Sequence, residues 1–156
     1  MYKKENKILL PNDVLLKAAN YCAYQERCHE EVKQRLAELG VYGTRALEII
    51  SELIRLNYLN EERFAKAYAG GKFRIKKWGR NRIIYELKLK KISEYCISES
   101  LKEIDQTDYL ETLQQLATEK IDSLKDKNIL IKKNKTAKFL IGKGYEANLV
   151  WDILNK

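Results

Sequence analysis

The sequence predicts an all-α protein of three tandem three-helix repeats, forming an elongated, curved helical array of right-handed type. Three observations point there. Proline occurs once in 156 residues, at Pro11, and Leu, Glu, Lys, Ala and Arg are abundant throughout; all are good helix formers. Apolar residues recur at three- and four-residue spacing rather than in alternation. The pattern also repeats: Val32 to Ile50 aligns with Ile83 to Leu101 and with Thr136 to Leu154. Leu36, Leu87 and Leu140 fall in register, 51 and 53 residues apart. Gly40, Lys91 and Gly144 follow, then Val41, Ile92 and Tyr145, then Ala46, Ile97 and Val150, and last Ile50, Leu101 and Leu154. A fixed period of this size marks stacked helical units. A unit of about 50 residues buries little core alone, so neighbours should pack end to end. The expected division is an N-terminal tail (1–12), a first repeat (13–58), a basic central repeat (59–106) and a third repeat (107–156).

The elements follow in order. Pro11-Asn12-Asp13 reads as a helix entry, with Asn12 or Asp13 capping a helix that runs to about Arg27. A second helix spans about His29 to Leu39 and stops at Gly40, where a left-handed residue is favoured. A third, Thr44 to Leu56, offers Ala46, Leu47, Ile49, Ile50, Leu53 and Ile54 as its buried face. In the helix from Phe64 to Trp78, Phe64, Ala67, Tyr68, Gly71, Ile75 and Trp78 fall within about 80° on a helical wheel. Ala67 and Gly71 would admit a close neighbour, and Gly70-Gly71 predicts either tight packing or a bend. Phe73 projects to the opposite face with Lys66, Lys76 and Lys77, as an aromatic that could meet a partner. Trp78-Gly79-Arg80 turns into the next helix, with Ile83, Ile84 and Leu87 inward and Arg82, Tyr85, Lys88 and Leu89 outward. Free N–H groups at that helix start, beside Arg80 and Arg82, would suit one phosphate or carboxylate.

Charge is distributed unevenly. The chain holds 30 basic and 22 acidic residues, a net +8. Residues 72–91 hold nine cations (Lys72, Arg74, Lys76, Lys77, Arg80, Arg82, Lys88, Lys90 and Lys91) against Glu86 alone, so the rest of the chain is neutral. With a pI near 9.3, so localised a charge implies a polyanionic partner or an acidic protein surface.

Several function classes recede. No apolar run approaches the roughly 20 residues needed to span a bilayer, and no signal-peptide pattern opens the chain; a cytoplasmic protein is expected. Cys22, Cys28 and Cys96 are too few and odd in number for a disulfide scaffold, and with His29 as the only histidine they do not form a metal-ligand pattern. Neither a Walker loop nor GxGxxG is present, and no catalytic constellation stands out. The expectation is a non-enzyme without cofactor.

Asn57-Tyr58-Leu59-Asn60-Glu61-Glu62-Arg63-Phe64-Ala65, then a basic helix, Trp78-Gly79, Glu86-Leu87 and Lys91-Ile92, resembles the RecX family of bacterial RecA regulators. Gln25-Glu26-Arg27-Cys28 through Leu36 and Gly40 is similar to that family's first repeat, and Lys143-Gly144-Tyr145 to its third. Asn60-Glu61 replaces the family's usual paired aspartates. Lys91 stands where glycine is usual, which suggests a different turn geometry there. The resemblance implies a monomeric, non-enzymatic protein of three three-helix units. Such a protein lies in the groove of the RecA–DNA filament and limits filament growth, ATP hydrolysis and strand exchange. Its partners would be the recombinase filament and single- and double-stranded DNA, with no membrane involved. The residues expected to carry this are Lys66, Lys72, Phe73, Arg74, Lys76, Lys77, Arg80, Arg82, Lys88 and Lys90. The residues themselves leave three readings open: a filament modulator, a general DNA-binding helical-repeat protein, and a helical scaffold for an unrelated partner.

Overall fold

A computed structural model describes residues 11–156. Among these residues the chain is helical throughout, without a strand, as its periodicity predicts. Two compact units result, one ending at Phe64 and the other running from Ala65 to Lys156.

In the first unit, α1 spans Pro11–Tyr24. Capping by Asn12 falls outside the described side chains, as does most of the expected tail. The helix ends three residues short of Arg27 because Arg27 folds back over it. Its Nε donates to the Tyr21 carbonyl at 3.1 Å, and its guanidinium lies 3.8 Å from the centre of the Tyr21 ring. That contact satisfies one of the carbonyls a helix end leaves orphaned. Helices α2 (His29–Glu38) and α3 (Gly43–Arg55) complete the unit. Val14, Ala18, Cys22, Val32, Leu36, Ile50, Leu53 and Leu59 form its core. Leu47 and Ile54, expected in the buried face of α3, are instead 53% and 46% exposed. The apolar arc of α3 is wider than the strip its two neighbours cover, so Ala46, Ile49, Ile50 and Leu53 fill the core and the arc's edges face water. Arg63 locks the exit of this unit. It pairs with Glu26 at 2.6 Å and donates to the Asn57 side chain and to the Asn57 and Tyr58 carbonyls, holding Asn57 in its left-handed turn (φ 63°).

The remaining helices are α4 (Glu61–Gly71), α5 (Arg80–Leu89), α6 (Glu94–Leu101), α7 (Gln106–Ser123), α8 (Ile129–Gly142) and α9 (Ala147–Leu154). Polar caps start them where the sequence places Asn, Ser or Asp. Asn60 accepts from the Arg63 N–H, Ser93 from Cys96, Asp105 from Asp108 and Asn128 from Leu130 and Ile131.

The internal repeat is visible in the hydrogen bonds. After α2 the Val41 N–H reaches the Leu36 carbonyl and Gly40 reaches Ala37; after α5 Ile92 reaches Leu87 and Lys91 reaches Lys88; after α8 Tyr145 reaches Leu140 and Gly144 reaches Ile141. The same Schellman ending recurs at each aligned position, with φ of 82° at Gly40, 59° at Lys91 and 103° at Gly144. Lys91 therefore does not alter the turn geometry; it adopts the glycine conformation with a side chain attached. A left-handed L-residue is strained by roughly 1–2 kcal/mol, partly offset by the entropy that glycine loses on folding. Lys91→Gly should raise stability by about 0.5–1 kcal/mol, read as a higher urea midpoint at unchanged m-value; a lower midpoint would contradict the account.

Phe73 overturns the outward placement. The chain leaves α4 through a π-helical turn, Lys72–Lys76, and Phe73 is only 7% exposed while Ile75 is 79% exposed. The buried line of this helix is Ala65, Ala69 and Phe73, not Ala67, Gly71 and Ile75. Small alanines carry little weight on a hydrophobic wheel, so the large side chains of Tyr68, Ile75 and Trp78 biased the placement. The wider π turn brings Phe73 onto the alanine line, and the Tyr109 ring receives it at 5.7 Å.

Candidate nucleic-acid interface

The basic stretch divides by what each cation touches. Arg80 points into the protein. Its Nη1 donates to Glu146 at 2.9 Å, its Nη2 donates to Gln106, and its guanidinium stacks 3.8 Å from the centre of the Tyr109 ring. The Arg80 and Glu146 side chains are 20% and 25% exposed, so this pair is structural rather than available to a partner. The anion site expected at the start of α5 is closed as well. The Gly79 and Asn81 N–H groups donate to the Lys143 and Gly144 carbonyls, both at 2.9 Å, and the Arg80 N–H donates to the Tyr109 hydroxyl. Tyr109 in turn donates to Glu146. The protein's own carboxylate has taken the place of a bound anion beside this helix N-terminus.

Two glycines make that closure possible. A Cβ on Gly79 would lie 2.2 Å from the Gly144 carbonyl carbon, and one on Gly144 would lie 2.5 Å from the Arg82 backbone nitrogen. The Tyr145 hydroxyl completes the joint by donating to the carbonyl of Lys77 at 2.8 Å, a residue in the left-handed region (φ 56°). Burial, reinforced by the Glu146 carboxylate, raises the pKa of the Tyr109 and Tyr145 phenols far above the usual tyrosine range. A raised folded-state pKa contributes stability that is fully present below the unfolded value, about 10, and is lost as pH rises toward the folded value. Wild type should therefore exceed Tyr145→Phe in stability by about 1 kcal/mol at pH 7–9, with the gap shrinking above pH 10. Urea titrations across that range would show it; a gap that widens with pH would reverse the sign.

The outward side holds a second cluster. Tyr68 and Trp78 meet edge to face with ring centres 6.4 Å apart. Lys72 Nζ lies 5.4 Å from the Tyr68 centre and 5.1 Å from that of Trp78. The Arg82 guanidinium stands 4.3 Å from Trp78 and Lys90 Nζ 5.7 Å from Tyr68. The fold thus brings Lys72, Arg82 and Lys90 around two rings. Arg74, Lys76, Lys77 and Lys88 are exposed on the π turn, the loop after it and α5. Arg74 lies back over Gly70. Lys66 sits apart, where its charge acts on Glu99 and Lys102. Phe73 is in the core. The aromatic pair Tyr68 and Trp78 was missed because both had been assigned to the buried stripe. A signal was available for one ring: Tyr68 precedes Lys72 by four residues, the spacing that stacks side chains on one helix face, whereas Trp78 lies in the loop before α5.

Residues 60–101 match the family model of the second three-helix domain of RecX. The regulatory protein RecX of Clostridium tetani is 30% identical over 162 aligned positions, covering 98% of this chain and 73% of that protein. The chain belongs to the RecX family. The RecX of Clostridium perfringens strain 13 is 34% identical over 122 residues, covering 77% of this chain and 57% of that protein. The RecX of Bacillus cytotoxicus is 28% identical over 135 residues, and there the chain spans half of the relative's length. The crystal structure of RecX from Lactobacillus salivarius has the same fold, with a TM-score of 0.83, 24% identity and 93% and 94% of the two chains covered. The relatives are named as regulatory proteins. The RecX-matched stretch contains every candidate residue from Lys66 to Lys90 and both rings of the Tyr68–Trp78 cluster. Among the described residues no helix is long and apolar enough to cross a membrane, and no group of His, Cys, Asp or Glu could hold a metal.

Proposed function

We propose that this protein regulates homologous recombination and DNA repair by binding the DNA filament of a RecA-type recombinase. Bound there, it limits filament growth, ATP hydrolysis and strand exchange. The observation that carries the reading is the net +8 of residues 72–91, the charge of the whole chain, inside the stretch that matches the second RecX domain. A nucleoprotein filament presents phosphates and acidic protein surface together, and a concentrated cationic face suits both. In this reading the protein acts as a cytoplasmic monomer with no chemistry of its own. The cations that serve are Lys72, Lys76, Lys77, Arg82, Lys88 and Lys90; Phe73 and Arg80 support the face from within. The test is RecA strand exchange and DNA-dependent ATPase with increasing amounts of this protein. Loss of both at sub-stoichiometric ratios is expected, and unchanged activity at molar excess would overturn the proposal.

A second reading, direct DNA binding without the recombinase, is favoured by the cations that gather on the partly buried Tyr68–Trp78 pair. It is compatible with the first, since modest DNA affinity would assist docking on a filament.

A further inference from the structure

We infer that Tyr68 and Trp78 form a stacking platform for an unpaired nucleobase, which gives the basic face a preference for single-stranded over double-stranded DNA. The inference rests on the DNA-binding reading and adds to it which strand form is bound and by what contact. Tyr68 and Trp78 are only partly buried, and their rings meet at 62° rather than stacking face to face. Cations stand beside both: Lys72 beside the two rings, Arg82 beside Trp78 and Lys90 beside Tyr68. Among the described residues neither Lys72 nor Arg82 forms an ion pair with a carboxylate, whereas Arg80, on the inward side, is tied to Glu146.

Such an arrangement serves two parts of a nucleotide at once. A cation beside a partly exposed ring is held weakly, and its long side chain can swing away. Every base has a π-face able to take its place, and base–aromatic stacking tolerates any sequence. The displaced Lys72 and Arg82 then lie beside the sugar–phosphate backbone of that same nucleotide, where a charge-assisted contact replaces the ring contact. In a duplex both faces of each base are already occupied by neighbouring base pairs. Duplex DNA can therefore use the cations but not the rings.

The experiment separates stacking from charge. Trp151 is the second of the two tryptophans; Trp151→Phe makes the fluorescence report Trp78 alone. A thymidine 20-mer, an abasic oligonucleotide of equal length and a 20-base-pair duplex are titrated at the same salt concentration. The 20-mer is expected to quench Trp78 and to bind about tenfold tighter than the abasic strand or the duplex. Trp78→Leu should reduce its affinity to the abasic level while the log–log salt slope stays unchanged, because no phosphate contact is lost. Trp78→Phe should restore most of it. Equal affinity for the 20-mer and the abasic strand without quenching would overturn the platform and leave phosphate binding standing. Absence of binding to all three at low salt would overturn the DNA reading with it. The quench and the abasic comparison use a chain with Trp78 intact, so they hold even where Trp78→Leu folds poorly.

Discussion

Replacing Gly79 with alanine is expected to lower the stability of the unit from Ala65 onward by about 3–5 kcal/mol. Gly79 has an ordinary backbone conformation, φ −74°, so the effect comes from space and not from strain. The added Cβ would meet backbone on the opposite side, with the Gly144 carbonyl carbon at 2.2 Å, the Tyr145 nitrogen at 2.3 Å and the Gly144 oxygen at 2.4 Å. Backbone cannot rotate aside as a flexible side chain can. The α5 start must separate from the α8–α9 turn, and the bonds from Gly79 to Lys143 and from Asn81 to Gly144 go with it. Two lost hydrogen bonds at about 1 kcal/mol each and an overpacking term of about 1–3 kcal/mol make up the estimate. Gly142→Ala is the matched control: its Cβ would meet nothing within 4 Å, and it should stabilise by up to about 1 kcal/mol through helix propensity. Urea unfolding of both variants checks the contrast. A wild-type midpoint for Gly79→Ala would mean that the two turns are not in contact in solution.

Reversing Lys72, Lys76, Lys77 and Arg82 to glutamate together should abolish measurable single-strand binding at moderate salt and, with it, any effect on a recombinase filament. Each phosphate contact contributes about 0.7 to the log–log salt slope on single strands, so four lost contacts should make the slope shallower by about 3 even before repulsion is counted. Lys76, Lys77 and Arg82 are exposed and Lys72 rests on partly buried rings, so the thermal midpoint should move little. Arg80 belongs in a separate variant. Arg80→Ala removes the partner of the half-buried Glu146 and the stack on Tyr109, and should cost about 2 kcal/mol of stability with little direct effect on the salt slope. Binding of the fourfold variant with the wild-type slope would remove the basic face from the mechanism.

The two sets of variants divide cations that look alike along the chain. Arg80 and Arg82 are two residues apart in the same basic run, yet α5 directs one toward Glu146 and the other toward Trp78. Residues two apart do not share a helix face, so a pattern-level reading could separate them. Which side faces the protein depends on where Tyr109, Glu146 and Gly144 sit, 29 to 66 residues further along. Phe73 makes the same point. Judged on its own helix it opposes the large apolar residues, but Tyr109 decides the matter by packing against it. Leu47 and Ile54 miss burial for a related reason: an amphipathic helix announces how much apolar surface it offers, not how much its neighbours will cover.

The sequence by itself determined the all-helical fold, the left-handed stop at Gly40 and the threefold register of Leu36, Leu87 and Leu140. These depend on local chemistry: propensity, apolar periodicity and a left-handed residue four positions after the register leucine. It also located the charge, because counting requires no fold. Only the tertiary structure decided that the start of α5 is plugged by the α8–α9 turn rather than open to a phosphate, that Phe73 is core, and that the partly buried Tyr68 and Trp78 gather Lys72, Arg82 and Lys90 around them. Those outcomes depend on contacts between residues far apart in the chain. A helix wheel carries no information about which face a distant backbone will approach within the width of a missing methyl group.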